Sequence, residues 1–130
     1  TAQHRRSKIH LANARSVDEM AGAGHTGEIL ERLFSVIESR KGGDPGASYT
    51  AKLLAEGKPK IAKKLGEEAT ETIIAATAGT PAEVARESAD LLYHLLVLWS
   101  AAGVKPAEVW AELARREGTS GLAEKAARKP

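Results

Sequence analysis

The sequence predicts an all-α protein, an antiparallel helical bundle of four to six helices that is completed by homodimerisation. After residue 27, apolar residues recur at the three- and four-residue spacing of a helix face, and strand-like alternation is not sustained anywhere. Thr80-Pro81-Ala82-Glu83 has the pattern of a capping box with proline at the first helical position. A chain of 130 residues has room for one domain with a modest core. We place this domain at residues 28–130, after a flexible N-terminal extension at residues 1–27.

The first three helices are predicted from apolar stripes that glycine and proline separate. A helix over residues 28–40 ends at the glycine- and proline-rich loop of residues 42–46. Ser48 is an N-cap for a short helix that stops at Gly57, and Pro59 opens a helix over residues 59–78. On this third helix, the residues expected to be buried are Ile61, Leu65, Ala69, Ile73 and Ala76.

The turn between the third and fourth helices is the best-defined boundary, since Gly79 directly precedes the capping box. A connection this short makes the two helices antiparallel neighbours. The fourth helix ends near Gly103, Pro106 begins a fifth, and a short basic helix closes the chain. The fourth helix is apolar on too many sides for one small bundle to cover, so we expect a homodimer with the third and fourth helices at its centre.

Composition limits the compartment and the partners. The absence of cysteine excludes disulfides, thiolate metal sites and a cysteine nucleophile, and suits a reducing cytoplasm. A formal net charge of +2 gives little support to a nucleic-acid partner. The longest apolar stretch, residues 91–102, contains His94 and Ser100 and is too short to span a bilayer. We therefore expect a cytoplasmic protein that binds neither nucleic acid nor membrane.

Two acidic clusters suggest a divalent-metal site. Glu67-Glu68-Ala69-Thr70-Glu71 lies on the third predicted helix and Glu87-Ser88-Ala89-Asp90 on the fourth. Residues three and four apart share a helix face, so antiparallel packing brings the two clusters to similar heights. Carboxylates near a buried surface are costly unless they are neutralised, and Mg²⁺ prefers oxygen ligands. The alternative is a solvated charged face that pairs with Lys63 and Lys64.

Several motifs accompany these clusters. Glu-x-x-Glu at residues 68–71 is followed by Glu-x-x-Asp at residues 87–90. The others are Glu38-Ser39-Arg40-Lys41, Ser48-Tyr49-Thr50, Lys63-Lys64-Leu65-Gly66-Glu67-Glu68, Asp90-Leu91-Leu92-Tyr93-His94 and Gly118-Thr119-Ser120-Gly121. With these motifs, residues 28–129 resemble the phosphoribosyl-ATP pyrophosphatases of histidine biosynthesis, within the all-α nucleotide pyrophosphohydrolase superfamily. The resemblance gives no role to residues 1–27.

The resemblance implies hydrolysis of phosphoribosyl-ATP at its α-β phosphoanhydride, giving phosphoribosyl-AMP and pyrophosphate with Mg²⁺ as cofactor. The metal ligands that we assign are Glu68, Glu71, Glu87 and Asp90. Glu67 is the candidate that orients or deprotonates the attacking water, although another carboxylate of the cluster could exchange this role with it. Lys64 is a candidate for phosphate contact, with an intrahelical ion pair to Glu68 as the alternative. The candidate substrate contacts are Arg40, Lys41, Ser48, Tyr49, Thr50, His94 and Lys125.

Some of these contacts have plainer interpretations. Arg40 and Lys41 could compensate the helix dipole, Tyr49 could be a packing residue, and His94 could be a buried core histidine.

Other functions also stay open. A house-cleaning nucleoside-triphosphate pyrophosphatase would use the same four carboxylates, whereas a non-catalytic dimeric helical module would keep them for structure. Related domains are often fused to a phosphoribosyl-AMP cyclohydrolase, a zinc enzyme that contains cysteine, which this chain lacks. A separate cyclohydrolase is therefore a candidate contact partner.

Overall fold

The computed structural model describes residues 25–119 and 121–128, and every regular element in these ranges is an α-helix. This confirms the predicted fold class. Of the extension predicted at residues 1–27, residues 1–24 lie outside the described residues. The helices are α1 (Glu28–Ser39), α2 (Tyr49–Glu56), α3 (Lys58–Ala78), α4 (Pro81–Ala102), α5 (Pro106–Arg116) and α6 (Gly121–Ala127).

The central element is the antiparallel pair of α3 and α4. The Thr80 hydroxyl accepts a hydrogen bond from the Glu83 amide at 3.2 Å, and Glu83 Oε1 accepts one from the Thr80 amide at 2.8 Å. The hydrogen bond from the Thr80 amide is the main cause that lowers the pKa of the Glu83 carboxyl. A Cβ at Gly79 would lie 2.8 Å from Glu83 Oε1 and 2.9 Å from the Ala75 carbonyl oxygen. Glycine is therefore required at this close approach, and the tight turn sets the two long helices side by side.

The remaining helices pack around this pair. α1 packs against α4, and α2 packs against both α3 and α4. Buried hydroxyls of Thr50 in α2 and Tyr93 in α4 lie 2.5 Å apart, and burial raises the pKa of Tyr93 to about 12. This contact fixes the first turn of α2 against α4. The buried apolar core comprises Ile37, Leu53, Ile61, Tyr93, Leu96 and Val97.

We expect Tyr93→Phe to lower the free energy of unfolding by about 1–2 kcal/mol, because the buried Thr50 hydroxyl then loses its partner. Thr50→Val should have a similar effect. The double variant should lose less than the sum of the two single losses, since neither polar group then remains to be satisfied. Urea unfolding of the four proteins measures the coupling, and additive losses would contradict it.

The buried face of α3 differs from the prediction. Ile73, which we expected in the core, is 63% exposed, and Ala76 is also exposed. The prediction is confirmed for Ile61, Leu65 and Ala69, which are buried or half-buried. It was wrong for Ile73 and Ala76, because it selected apolar residues rather than the helical spacing that faces α4. The stripe of α3 that faces α4 contains buried and half-buried residues spaced alternately four and three apart. These residues are Ile61, Leu65, Glu68, Thr72 and Ala75.

Two tryptophans attach α5 to the rest of the fold. Trp110 Nε1 donates a hydrogen bond to Glu31 Oε1 of α1 at 2.6 Å. The Trp110 ring also meets Trp99 of α4 edge to face, with ring centroids 5.9 Å apart. None of the described helices combines the length and the apolar character needed to cross a membrane.

Candidate functional site

Three carboxylates from α3 and α4 meet at the interface of these helices. Glu68 is 2% exposed, Asp90 is 4% exposed and Glu87 is half-buried. One carboxylate oxygen from each lies within 4.8 Å of the others. The short α3–α4 turn and the position of Glu68 in the buried stripe produce this arrangement. Ionised carboxylates that are crowded together and shielded from water repel one another, so the arrangement favours a cation among them.

The donor atoms suit a hard divalent cation. All three residues offer carboxylate oxygens, which are the ligands that Mg²⁺ prefers. Oxygen ligands around one octahedral Mg²⁺ lie about 3–4 Å apart, which requires only a small contraction of the observed group. Three protein ligands also leave coordination positions for water or for phosphate oxygens. The residues present therefore fit Mg²⁺.

The other predicted carboxylates of α3 take different positions. Glu71 is half-buried, one turn beyond Glu68, and is not among the three residues whose oxygens lie within 4.8 Å. Glu67 has a side chain that is 50% exposed, and its Oε1 lies 3.6 Å from Lys64 Nζ. Lys64 therefore pairs with Glu67, whereas the partner considered from the sequence, Glu68, lies in the buried stripe with its carboxylate near Glu87 and Asp90.

Two aromatic side chains extend the site from the acidic group toward α2. His94 is fully buried, and its Nδ1 lies 2.8 Å from the Asp90 carbonyl oxygen. A carbonyl can only accept a hydrogen bond, so Nδ1 carries the proton. The Tyr49 ring meets His94 edge to face, with ring centroids 6.5 Å apart. Burial raises the pKa of Tyr49, so the phenol stays protonated and can donate.

A cavity of about 250 Å³ lies between the end of α1 and the start of α2. Arg40, Asp44 and Ser48 are among the residues that line it. Asp44 Oδ1 accepts a hydrogen bond from the Gly46 amide at 2.9 Å, which folds the loop. Ser48 Oγ accepts one from the Ala51 amide at 3.1 Å and caps α2 as the sequence predicts. The cavity therefore has one basic and one acidic residue, Arg40 and Asp44, at a wall that local hydrogen bonds hold in place.

The structure brings some of the predicted substrate contacts together. Arg40 and Ser48 share the cavity, and Tyr49 connects the start of α2 with His94. Lys125 is exposed on α6, away from α1 and α2 in the chain.

The remaining predicted contacts have other partners. Thr50 is buried and bonds to Tyr93, and Lys41 Nζ lies 3.0 Å from Glu38 Oε2.

Sequence reasoning did not identify the role of Glu38 and Ser100 as partners. Ser100 Oγ donates a hydrogen bond to Glu38 Oε2, which joins residues 62 apart in the chain. This bond, with the smaller contribution of Lys41, lowers the pKa of Glu38. The only signal in the sequence was a serine within the apolar end of α4.

Comparisons with known proteins agree with the motifs. A family model for phosphoribosyl-ATP pyrophosphohydrolase matches residues 30–117, a range that contains both the acidic group and the cavity. The chain is 61% identical over 101 residues to a phosphoribosyl-ATP pyrophosphatase of Azospirillum brasilense, covering 78% of this chain and 91% of the relative. It is 66% identical over 99 residues to a phosphoribosyl-ATP pyrophosphatase of Parvibaculum lavamentivorans, covering 76% and 91% respectively. The resemblance inferred from the sequence is confirmed.

Proposed function

Because the chain belongs to the phosphoribosyl-ATP pyrophosphohydrolase family, we propose that it hydrolyses phosphoribosyl-ATP at the α-β phosphoanhydride, with Mg²⁺ as cofactor. The products would be phosphoribosyl-AMP and pyrophosphate, in the cytoplasmic pathway of histidine biosynthesis. The observation that carries this proposal is the buried group of Glu68, Glu87 and Asp90. Cleavage of a phosphoanhydride needs positive charge beside the phosphate oxygens, and these carboxylates suit the metal that supplies it.

Glu68, Glu87 and Asp90 would hold the Mg²⁺, with Glu71 as a further ligand directly or through water. When bound, Mg²⁺ neutralises phosphate charge and lowers the pKa of coordinated water. Glu68 and Asp90 are buried in the helix interface, so their positions are set before the substrate arrives. His94 Nδ1 donates a hydrogen bond to the Asp90 carbonyl oxygen. This bond fixes the imidazole one helical turn from Asp90, a proposed metal ligand.

The substrate would occupy the space between the acidic group and the cavity. Arg40 at the cavity wall can form two parallel hydrogen bonds to a phosphate. Tyr49 can donate from its protonated phenol, and Ser48 lies beside it. Lys41, Thr50, His94 and Lys125 stay predicted substrate contacts.

Glu67 is our candidate general base, with Lys64 beside it as a phosphate contact. In the step that we propose, a water oxygen attacks the α-phosphorus and the Glu67 carboxylate accepts the water proton. The bond between the α-phosphorus and the leaving pyrophosphate breaks. The side chain of Glu67 is half exposed and can return this proton to solvent. Lys64 Nζ, 3.6 Å from Glu67 Oε1, orients the carboxylate and leaves further N–H donors for a phosphate oxygen.

We expect Glu67→Gln to lower kcat by about a hundredfold, because an amide cannot accept the water proton. The affinity for Mg²⁺ should change little, since Glu67 lies outside the group of three carboxylates. Steady-state kinetics over a range of Mg²⁺ concentrations separates the two effects. An unchanged kcat would contradict this role and leave Glu71 as the next carboxylate to test.

We also propose that the functional unit is a homodimer. Ile73 and Ile74 on α3 are 63% and 54% exposed, which is unusual for isoleucines on a helix of the central pair. A second copy that covers them would remove this apolar surface from water. A separate phosphoribosyl-AMP cyclohydrolase, which would consume the product, stays a predicted contact.

The experiment that tests the proposed function is pyrophosphate release by the purified protein with Mg²⁺. Phosphoribosyl-ATP is compared with a panel of ordinary nucleoside triphosphates, and Glu71→Gln serves as the site variant. We expect kcat/KM to be at least about a hundredfold higher for phosphoribosyl-ATP and to fall in the variant. Equal turnover of other triphosphates would favour the house-cleaning alternative, and no turnover would favour a structural role for the carboxylates. Identification of phosphoribosyl-AMP as the second product tests which bond is cleaved.

A further inference from the structure

We propose that Glu38 is a positioning residue for the phosphate contacts at the cavity. Bonded to Ser100 of α4, it holds the last turn of α1 so that Arg40 and Lys41 are presented to the substrate. The proposal rests on the proposed function for the identity of the substrate, but the arrangement of these residues is independent of it.

The contact between Glu38 and Ser100 joins the last turn of α1, next to the cavity, to α4. Ser100 is 2% exposed, and a hydroxyl buried to this extent requires a hydrogen-bond partner. Its Oγ donates to Glu38 Oε2, and a bond to a carboxylate is stronger than one between neutral groups. α4 also carries Glu87 and Asp90, so the helix that bears these two proposed metal ligands also holds the end of α1.

The same carboxylate pairs with Lys41, the second of the two basic residues that follow it. Lys41 Nζ lies 3.0 Å from Glu38 Oε2, the oxygen that accepts from Ser100. Arg40 lies between them in the chain, and its amide bonds to the Ile37 carbonyl oxygen at 3.0 Å to close α1. Arg40 lines the cavity, whereas Glu38 is not among the lining residues. Because Glu38 does not line the cavity, it acts through its basic neighbours.

A purely structural contact makes a different prediction. If Glu38 and Ser100 only join α1 to α4, their loss would lower stability without weakening the contribution of Arg40 to anion binding. If they position Arg40, the benefit of Arg40 depends on them, and the two substitutions are not additive.

The test uses the full chain and calorimetric binding of inorganic pyrophosphate in the presence of Mg²⁺. The proteins are the wild type, Glu38→Ala, Ser100→Ala, Arg40→Ala and the double variant Glu38→Ala with Arg40→Ala. We expect each single substitution to weaken binding about tenfold and the double variant to lose less affinity than the sum of the two single losses. Glu38→Gln, which keeps an acceptor for Ser100 but loses the charge beside Lys41, should lie between the wild type and Glu38→Ala. It also serves if the alanine variant fails to fold.

The matched control is Glu31→Gln. Glu31 is also a carboxylate of α1 bonded to another helix, through Trp110, but it is not among the residues that line the cavity. We expect its pyrophosphate affinity to equal that of the wild type. Thermal unfolding of every variant identifies effects that are only structural.

Several results would overturn the proposal: wild-type affinity in Glu38→Ala and Ser100→Ala, additive losses in the double variant, or no binding of pyrophosphate by the wild type. Turnover of phosphoribosyl-ATP is a separate test of the proposed function. If turnover occurs, Glu38→Ala should raise KM about tenfold and change kcat by less than about twofold. Coupled losses of pyrophosphate affinity without turnover would support the positioning role and reject the proposed function.

Discussion

Replacing Glu68 by glutamine is expected to lower kcat/KM for phosphoribosyl-ATP by about a thousandfold. Glu68 is 2% exposed and contributes one of the three carboxylate oxygens that lie within 4.8 Å of one another. Glutamine keeps the size of the side chain but removes the negative charge that would bind the cation. Solvent cannot readily replace the lost ligand, because the position is closed by the α3–α4 interface. Steady-state assays at several Mg²⁺ concentrations measure the loss.

A second measurement separates this effect from misfolding. Without metal, Glu68→Gln should be at least as stable as the wild type, because one of the mutually repelling carboxylates has become neutral. Unlike the wild type, it should gain little stability when Mg²⁺ is added. The matched control is Glu112→Gln, which changes an exposed carboxylate on α5 bonded to Arg115 and Arg116. Activity of Glu68→Gln within about tenfold of the wild type would contradict the proposed metal site.

The second large effect is expected at the exposed face of α3. Ile73→Lys combined with Ile74→Lys should convert the proposed homodimer into monomers. Burial of each isoleucine by a partner would contribute about 1.5–3 kcal/mol, and each lysine would add the free energy of desolvating a charge. Together these terms weaken dimerisation by more than about a thousandfold. Sedimentation velocity over a range of protein concentrations measures the association.

Leu113→Lys is the control for this prediction, since Leu113 is 56% exposed but lies on α5, outside the central pair. This variant should remain dimeric. A monomeric wild type at micromolar concentrations, or a double variant that still dimerises, would contradict the proposed interface.

The long helices and their pairing could be predicted because the determining signals are local. Gly79 and the Thr80 capping box lie next to each other in the sequence, and the hydrogen bonds of the box form between the predicted residues. Once this turn is placed, two acidic clusters at equal distance from it must approach each other. The meeting of Glu68 with Asp90 therefore followed from spacing alone.

Which face of α3 would be buried could not be read from the apolar residues. Neighbouring residues differ by about 100° around a helix, so a small error in the chosen face exchanges Glu67 with Glu68. The structure buries Glu68 and exposes Ile73, the reverse of what hydrophobicity alone favours. A metal site within the helix pair and a partner on the outer face would explain both departures.

The sequence contains even less information about which distant residues contact one another. Ser100 is a single polar residue in an apolar segment, and nothing local identifies Glu38 as its acceptor. Thr50 belongs to a motif associated with substrate, yet its hydroxyl bonds to Tyr93 in the core. Such pairs depend on how three helices pack, which composition and periodicity do not specify.

Titration of metal-free protein with Mg²⁺, followed by calorimetry, tests most directly whether Glu68, Glu87 and Asp90 form a metal centre. We predict saturable binding of at least one Mg²⁺ per chain, lost in Glu68→Gln and Asp90→Asn and retained in Glu67→Gln. Absence of saturable binding, or binding that survives both Glu68→Gln and Asp90→Asn, would contradict it.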